Sequence, residues 1–133
     1  MSKVIKKKYR DGFEHRLNGQ YHREDGPAVE RINGTKCWYL HGQLHRIDGP
    51  AIEWGDGDKE WYLNGRLHRE DGPAIERVNG TKQWSLNGKL HRVDGPAIEW
   101  HNGNKEYWVN DQYLDFITND QMFIYYLKYG FLK

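Results

Sequence analysis

The chain has 133 residues, 20 basic against 19 acidic, for a formal net charge of +1, which suits one domain and gives no bulk charge to attract a polyanion. Mean hydropathy is −1.01 and 37% of residues are hydrophobic, too few for a thick two-layer core, yet six Trp, nine Tyr and four Phe at regular spacing are foreign to a disordered tail. The single Cys37 excludes an internal disulfide and a cysteine zinc site, and no apolar run reaches the roughly 18 residues of a membrane span, so a soluble, cytoplasmic fold without staples is expected.

Residues 1–16 are read as an N-terminal edge strand in which Lys6, Lys7 and Lys8 discourage edge-to-edge pairing. From there the chain repeats. Leu17, Leu40, Leu63, Leu86 and Val109 begin segments at a constant step of 23 residues, four of them complete over 17–108. Each complete segment carries His-Arg-x-Asp-Gly-Pro-Ala, at 22–28, 45–51, 68–74 and 91–97, and all four prolines lie there. Residues 17–62 and 63–108 agree at 32 of 46 positions, the mark of a duplicated pair of units.

Turn chemistry divides each segment. Two alternating runs, Ala28 to Ile32 and Thr35 to Tyr39, flank Asn33-Gly34, a dipeptide suited to the positive φ angles of a two-residue type I′ turn. Pairing Ile32 with Thr35 puts Val29 opposite Trp38, and a turn at Asp56-Gly57 puts Ile52 opposite Trp61, so one face is expected to carry a ladder of β-branched residues and Trp. The other face takes Ala28, Glu30 and Tyr39. After each hairpin, Asp, Gly and Pro bend or end the sheet. Over 109–133 a fifth repeat degenerates, with Leu114-Asp115 in place of His-Arg. There Thr118-Asn119-Asp120-Gln121 reads as a capping box, Met122 to Tyr129 as a short helix with Met122, Phe123, Tyr126 and Leu127 on one face, and Gly130 as its stop. The expected fold is all-β: an elongated single-layer antiparallel sheet of 23-residue hairpin repeats with a short C-terminal capping helix, one repeat domain across 1–133.

The run Trp38-Tyr39-Leu40-His41-Gly42-Gln43-Leu44-His45, followed by Gly49, Ala51, Glu53 and Gly57, resembles the membrane-occupation-and-recognition-nexus (MORN) repeat. The resemblance covers 17–108, although Arg-x-Asp-Gly-Pro lengthens the family's loop and Ala stands for its second Gly. It implies two strands per unit and an interaction platform. Units with His-Arg-Glu-Asp-Gly-Pro-Ala also resemble those of proteins from bacteriophages and large viruses, which implies a viral origin and a place in the host cytoplasm.

The repeated side chains carry whatever chemistry there is. With two strands per unit at about 4.8 Å, His22, His45, His68 and His91 stand about 9.6 Å apart and cannot share a zinc ion bound at about 2.0–2.1 Å, so no metal is expected and a packing or turn-bonding role is favoured. Arg23, Arg46, Arg69 and Arg92 either pair with the Asp two residues on, or with a Glu across the sheet, or form with the His an anion-reading stripe. Asp25, Asp48, Asp71 and Asp94 cancel the field beside them, which disfavours long nucleic acid. If these are exposed ion pairs of about 0–1 kcal/mol, reversing Arg46 and Arg69 spares folding. Gly55-Asp56-Gly57-Asp58 reads as a hairpin turn rather than a calcium loop.

Fourfold repetition of His, Asp and Glu without one singular constellation argues against catalysis, and no cofactor is expected. Trp38, Trp61, Trp84 and Trp108, with Trp54 and Trp100 in the even units, are read mainly as core. What a single layer leaves uncovered of them is an alternative binding face, toward a partner or a second copy in a homo-oligomer. The sequence points to a non-enzymatic binding protein with a protein partner, in the form of a viral accessory protein that blocks a host defence factor or toxin. The alternatives are an oligomeric sponge holding a phosphorylated nucleotide between His-Arg stripes, and membrane-lipid contact, for which only Lys3 to Lys8 supply a basic surface. Binding is expected at the central units, on His45, Arg46, His68 and Arg69.

Overall fold

Short alternating runs between Gly turns make short strands, and the computed structural model, which describes residues 3–129, is all-β, single-layer antiparallel hairpins followed by a C-terminal helix. The chain divides into two compact units, Met1–Leu67 and His68–Lys133. In the first, Ile5–Tyr9, Gly12–Leu17, Val29–Arg31, Lys36–Cys37, Ile52–Glu53 and Lys59–Glu60 pair in that order. In the second, Ile75–Glu76, Lys82–Gln83, Ile98–Glu99 and Lys105–Glu106 do the same. The N-terminal piece is a hairpin rather than one edge strand, because Gly12, with φ +148 and a backbone oxygen where its Cβ would stand, lets the chain turn back at once. Its outermost strand, Ile5–Tyr9, is exposed throughout and carries Lys6, Lys7 and Lys8 on the open edge, as expected.

The register differs from the expected one by a single residue. At Asn33-Gly34 only Gly34 has positive φ (+93), its N–H donates to the Arg31 carbonyl (3.0 Å), and the Asn33 side-chain oxygen accepts from the Thr35 N–H (2.9 Å). This is a three-residue loop, a type I turn closed by a Gly bulge, and the extra residue moves Val29 opposite Cys37 and Ile52 opposite Glu60. The β-branched and Trp ladder is therefore replaced by a row within each unit: Val29 and Ile52 alternate with Cys37 and Glu60 in the first, and Ile75 and Ile98 with Gln83 and Glu106 in the second.

The two-residue type I′ geometry occurs at the other dipeptide of each repeat, where both residues have positive φ: His41-Gly42 (49 and 79), Asn64-Gly65 (51 and 77) and Asn87-Gly88 (49 and 81). These turns close a second set of small hairpins, Tyr39–Leu40 with Gln43–Leu44, Tyr62–Leu63 with Arg66–Leu67, and Ser85–Leu86 with Lys89–Leu90. Within the first unit they stack by backbone bonds, Gly42 N–H to Tyr21 O and Gly65 N–H to Leu44 O, both 2.8 Å. Each repeat thus has four strands, two in the main ladder and two beside it, where the resemblance implied two.

The core is correspondingly thin. Ala28, Ala51, Ala74 and Ala97 are fully buried, each next to one buried β-branched residue, which stabilises a repeat by only about 1.5–3 kcal/mol for the larger side chain. The largest apolar cluster lies at the C-terminus, where Phe123 inserts among Tyr107, Val109, Leu114 and Ile117, flanked by Met122, Tyr126 and Leu127. The helix runs Asp120–Lys128 and is capped by Asn119, whose side chain accepts from the Met122 N–H (2.8 Å). The cap is thus one residue later than the Thr118 box, since Asn119 reaches the third helical amide itself; the expected stop at Gly130 lies outside the described residues. Tyr107 donates its hydroxyl to the Asp120 carboxylate in the first turn, and burial together with that carboxylate raises the Tyr107 pKa.

A Cβ built on Gly49 or Gly72 would stand 3.0 Å from the guanidinium carbon of Arg46 or Arg69, so these glycines are required by a side chain lying across them and not by backbone angle. Gly49→Val and Gly72→Val are expected to lower the unfolding free energy by about 1–3 kcal/mol each in urea melts. Parental midpoints for both would contradict this loop geometry.

Candidate functional site

The His-Arg-x-Asp-Gly-Pro loop is organised by its own Arg. Arg46 donates Nε to Asp48 (3.0 Å) and Nη1 to the Pro50 carbonyl (3.0 Å) and Glu53 (2.8 Å), with its guanidinium carbon 3.8 Å from the centre of the Trp38 ring. Arg92 repeats this with Asp94 (2.9 Å), the Pro96 carbonyl (3.0 Å), Glu99 (3.6 Å) and the Trp84 ring (3.8 Å). Arg69 bonds Asp71, the Pro73 carbonyl and Glu76, and Arg23 bonds Asp25 and the Pro27 carbonyl. The planar fork suits this set of acceptors, and the stacked indole adds a cation–π contact. Of the two roles open to these arginines, pairing with the Asp two residues on is the one realised. The hydrogen bond and charge of Arg23 hold the Asp25 carboxyl below its ordinary range. Only 22% of the Arg46 side chain is exposed, so reversing Arg46 and Arg69 is expected to cost more folding stability than breaking an exposed ion pair would.

Each His is turned the same way. Nδ1 of His22, His45, His68 and His91 accepts the backbone N–H of His41, Asn64, Asn87 and Asn110, at 2.9, 3.0, 2.9 and 3.1 Å. That amide opens the small hairpin turn of the following repeat, so one ring ties a loop to the next repeat 19 residues on. An accepting Nδ1 fixes the proton on Nε2. The role is the turn bond expected from the sequence, made across repeats.

Between successive loops lies an open groove. In the first unit it has a volume of about 510 Å³, with Trp38 and Leu40 between Arg23–Gly26 and His45–Asp48. In the second it has about 550 Å³, with Trp84 and Leu86 between Arg69–Gly72 and His91–Asp94. With the guanidinium groups folded inward, the rims project carboxylates: the side chains of Glu24 and Asp25 are 83% and 87% exposed, and Asp48, Glu70, Asp71 and Asp94 match them. The variable loop position alternates Glu24 and Glu70 with the exposed aliphatics Ile47 and Val93. His45 and Arg46 belong to the first unit and His68 and Arg69 to the second, each pair within its own loop.

No model of a known family, no curated protein and no solved structure matches the chain. Its site must be read from its own residues.

One assignment from sequence shifts by one position. Tyr107, not Trp108, is the register partner of Trp38, Trp61 and Trp84, and it is buried against the helix. Trp108 belongs with Tyr39 and Tyr62, and its indole donates to Glu106 (3.0 Å), which also accepts from Trp100 (2.5 Å). Glu60 likewise accepts from Trp54 (2.6 Å) and Tyr62 (3.0 Å). These carboxylates account for the extra Trp of the even units, and the signal for them is a Glu six residues after each extra Trp.

Arg46→Lys keeps the charge but loses the fork and should cost about 1.5–3 kcal/mol in urea melts, the range for hydrogen bonds to charged groups. His45→Phe should cost about 1 kcal/mol and His45→Asn less, since the Asn oxygen can stand where Nδ1 accepts. Unchanged stability of Arg46→Lys would remove the clamp from this account.

Proposed function

We propose that this is a binding protein that engages another protein through the rims of its repeated grooves and carries out no chemistry on it. The observation that carries this reading is the inward turn of each guanidinium, which leaves carboxylates and an aliphatic side chain as the groups that project from the loops. A partner surface with Lys or Arg beside apolar residues complements such a rim, and aromatic rings at the groove floor supply the type of contact on which interfaces concentrate energy. A phosphorylated nucleotide would need the same guanidinium groups released from Asp, Pro and Glu. The narrower version, a viral protein that blocks a host defence factor or toxin in the cytoplasm, rests on the resemblance of the units to phage and large-virus proteins; a MORN-type lipid contact would rest on Lys3 to Lys8.

The test is quantitative affinity purification with the parent, a rim variant (Ile47→Asp, Glu70→Lys, Val93→Asp) and a turn variant (Ile32→Asp, Val78→Asp), all at strongly exposed positions. The rim variant is expected to melt like the parent and lose the bound protein at least about tenfold, while the turn variant keeps it. Retention by the rim variant and loss by the turn variant would overturn the assignment. Calorimetric heat with mononucleotides and none with the purified protein partner would favour the sponge.

A further inference from the structure

The 23-residue step places His15 at the position of Trp38, Trp61, Trp84 and Tyr107. Above it lies a further groove, of about 610 Å³, between Val4 and Lys6 on one side and His22–Asp25 on the other. Where the grooves at Trp38 and Trp84 have an acidic loop as the first wall, this one has a lysine. The aromatic floor is replaced by an imidazole.

His15 is 8% exposed, and its ring makes no hydrogen bond to the described residues. Nδ1 is enclosed without a partner, the one such side-chain atom among the described residues, and the ring lines the groove. Buried polar groups are nearly always bonded, so the unbonded Nδ1 marks a ring whose hydrogen bonding the described residues do not complete. The charges around the ring narrow the choice. Burial, Arg23 and Lys6 together lower its pKa, against smaller opposing effects of Glu30 and Asp25, so a neutral ring sits in a net positive local field. Arg23 is engaged with Asp25 and the Pro27 carbonyl. Lys6 has no carboxylate partner among the described residues; its Nζ lies 4.4 Å above the Phe13 ring.

We infer that this N-terminal groove is a site for a small oxyanion, a carboxylate or phosphate group, which accepts from the His15 imidazole and pairs with the Lys6 ammonium. An imidazole N–H and an ammonium lining one groove are the donors such a group needs, and no lysine lines the grooves at Trp38 and Trp84. Glu24 and Asp25 on the far wall project into solvent and bound the space on one side, favouring an anion held at the Lys6 end. The inference does not rest on the protein-binding reading, although the loop with Glu24 and Asp25 is a wall of this groove and of the one at Trp38.

The experiment follows the ring resonances of His15, His45 and His91 by NMR while inorganic phosphate or acetate is added to the full chain at constant ionic strength. A saturable shift at His15, much smaller at His45 and His91, is expected. Because the anion favours the charged ring, the His15 titration midpoint should rise when it is bound. Lys6→Gln, at an exposed edge position, should weaken the binding at least about tenfold without moving the melting midpoint. Saturation by both anions would indicate a general oxyanion site, and by phosphate alone a phosphate-ester site. No saturable shift with either, equal shifts at all three rings, or full affinity in Lys6→Gln would overturn the assignment.

Discussion

In each repeat the Arg of His-Arg-x-Asp-Gly-Pro folds back over its own loop and gathers an Asp carboxylate and a Pro carbonyl, and in three of the four repeats a Glu as well. A sheet that buries one Ala and one β-branched residue per repeat has little apolar area to hold a six-residue loop, so directional bonds must do so. The rest of the motif follows from that clamp. Pro presents a carbonyl without an N–H to satisfy, Asp sits two residues on to meet Nε, and Gly leaves the space in which the guanidinium lies.

Coupling between repeats rests on the neighbouring His. Its Nδ1 bond to the amide of the next small turn joins units pairwise, and the Thr35 and Thr81 hydroxyls do the same at the other turns, accepting from the Gly55 and His101 N–H groups at 2.9 and 3.1 Å. Such nearest-neighbour coupling needs modified ends. At the N-terminus Glu14 is enclosed by Arg16, Tyr21 and Arg31; burial would raise its pKa, but their hydrogen bonds outweigh that and lower it. At the C-terminus Tyr107 replaces the stacked Trp and donates to the helix that covers it. The motif is therefore divided: Arg, Gly and Pro serve the loop, while the variable residue and the carboxylate edges face solvent.

Period, hairpins, edge lysines and the apolar helix face were legible in the sequence because each depends on local spacing. Register was not, because Asn-Gly occurs in two roles. Asn33-Gly34 and Asn64-Gly65 are identical dipeptides, yet the first forms a type I turn with a bulge and the second a type I′ turn. What separates them is tertiary: Asn64 gives its N–H to His45, while Asn33 turns its side chain onto Thr35. Assigning Trp108 to the row of Trp38, Trp61 and Trp84 followed residue type against spacing, since the constant step of 23 leads to Tyr107. The direction of the arginines was equally hidden, since His-Arg at a fixed step reads alike whether the fork points to solvent or to the Pro carbonyl behind it.

The most direct measurement is hydrogen exchange at the arginine Nε–H groups by NMR, with the exposed Arg66 as internal reference. If each repeat is held by its clamp, Nε–H of Arg23, Arg46, Arg69 and Arg92 exchanges at least about tenfold more slowly than that of Arg66, as expected for bonded, partly buried donors. Exchange at the Arg66 rate in all four would mean that the forks are free in solution, and the inward-facing loop would be wrong.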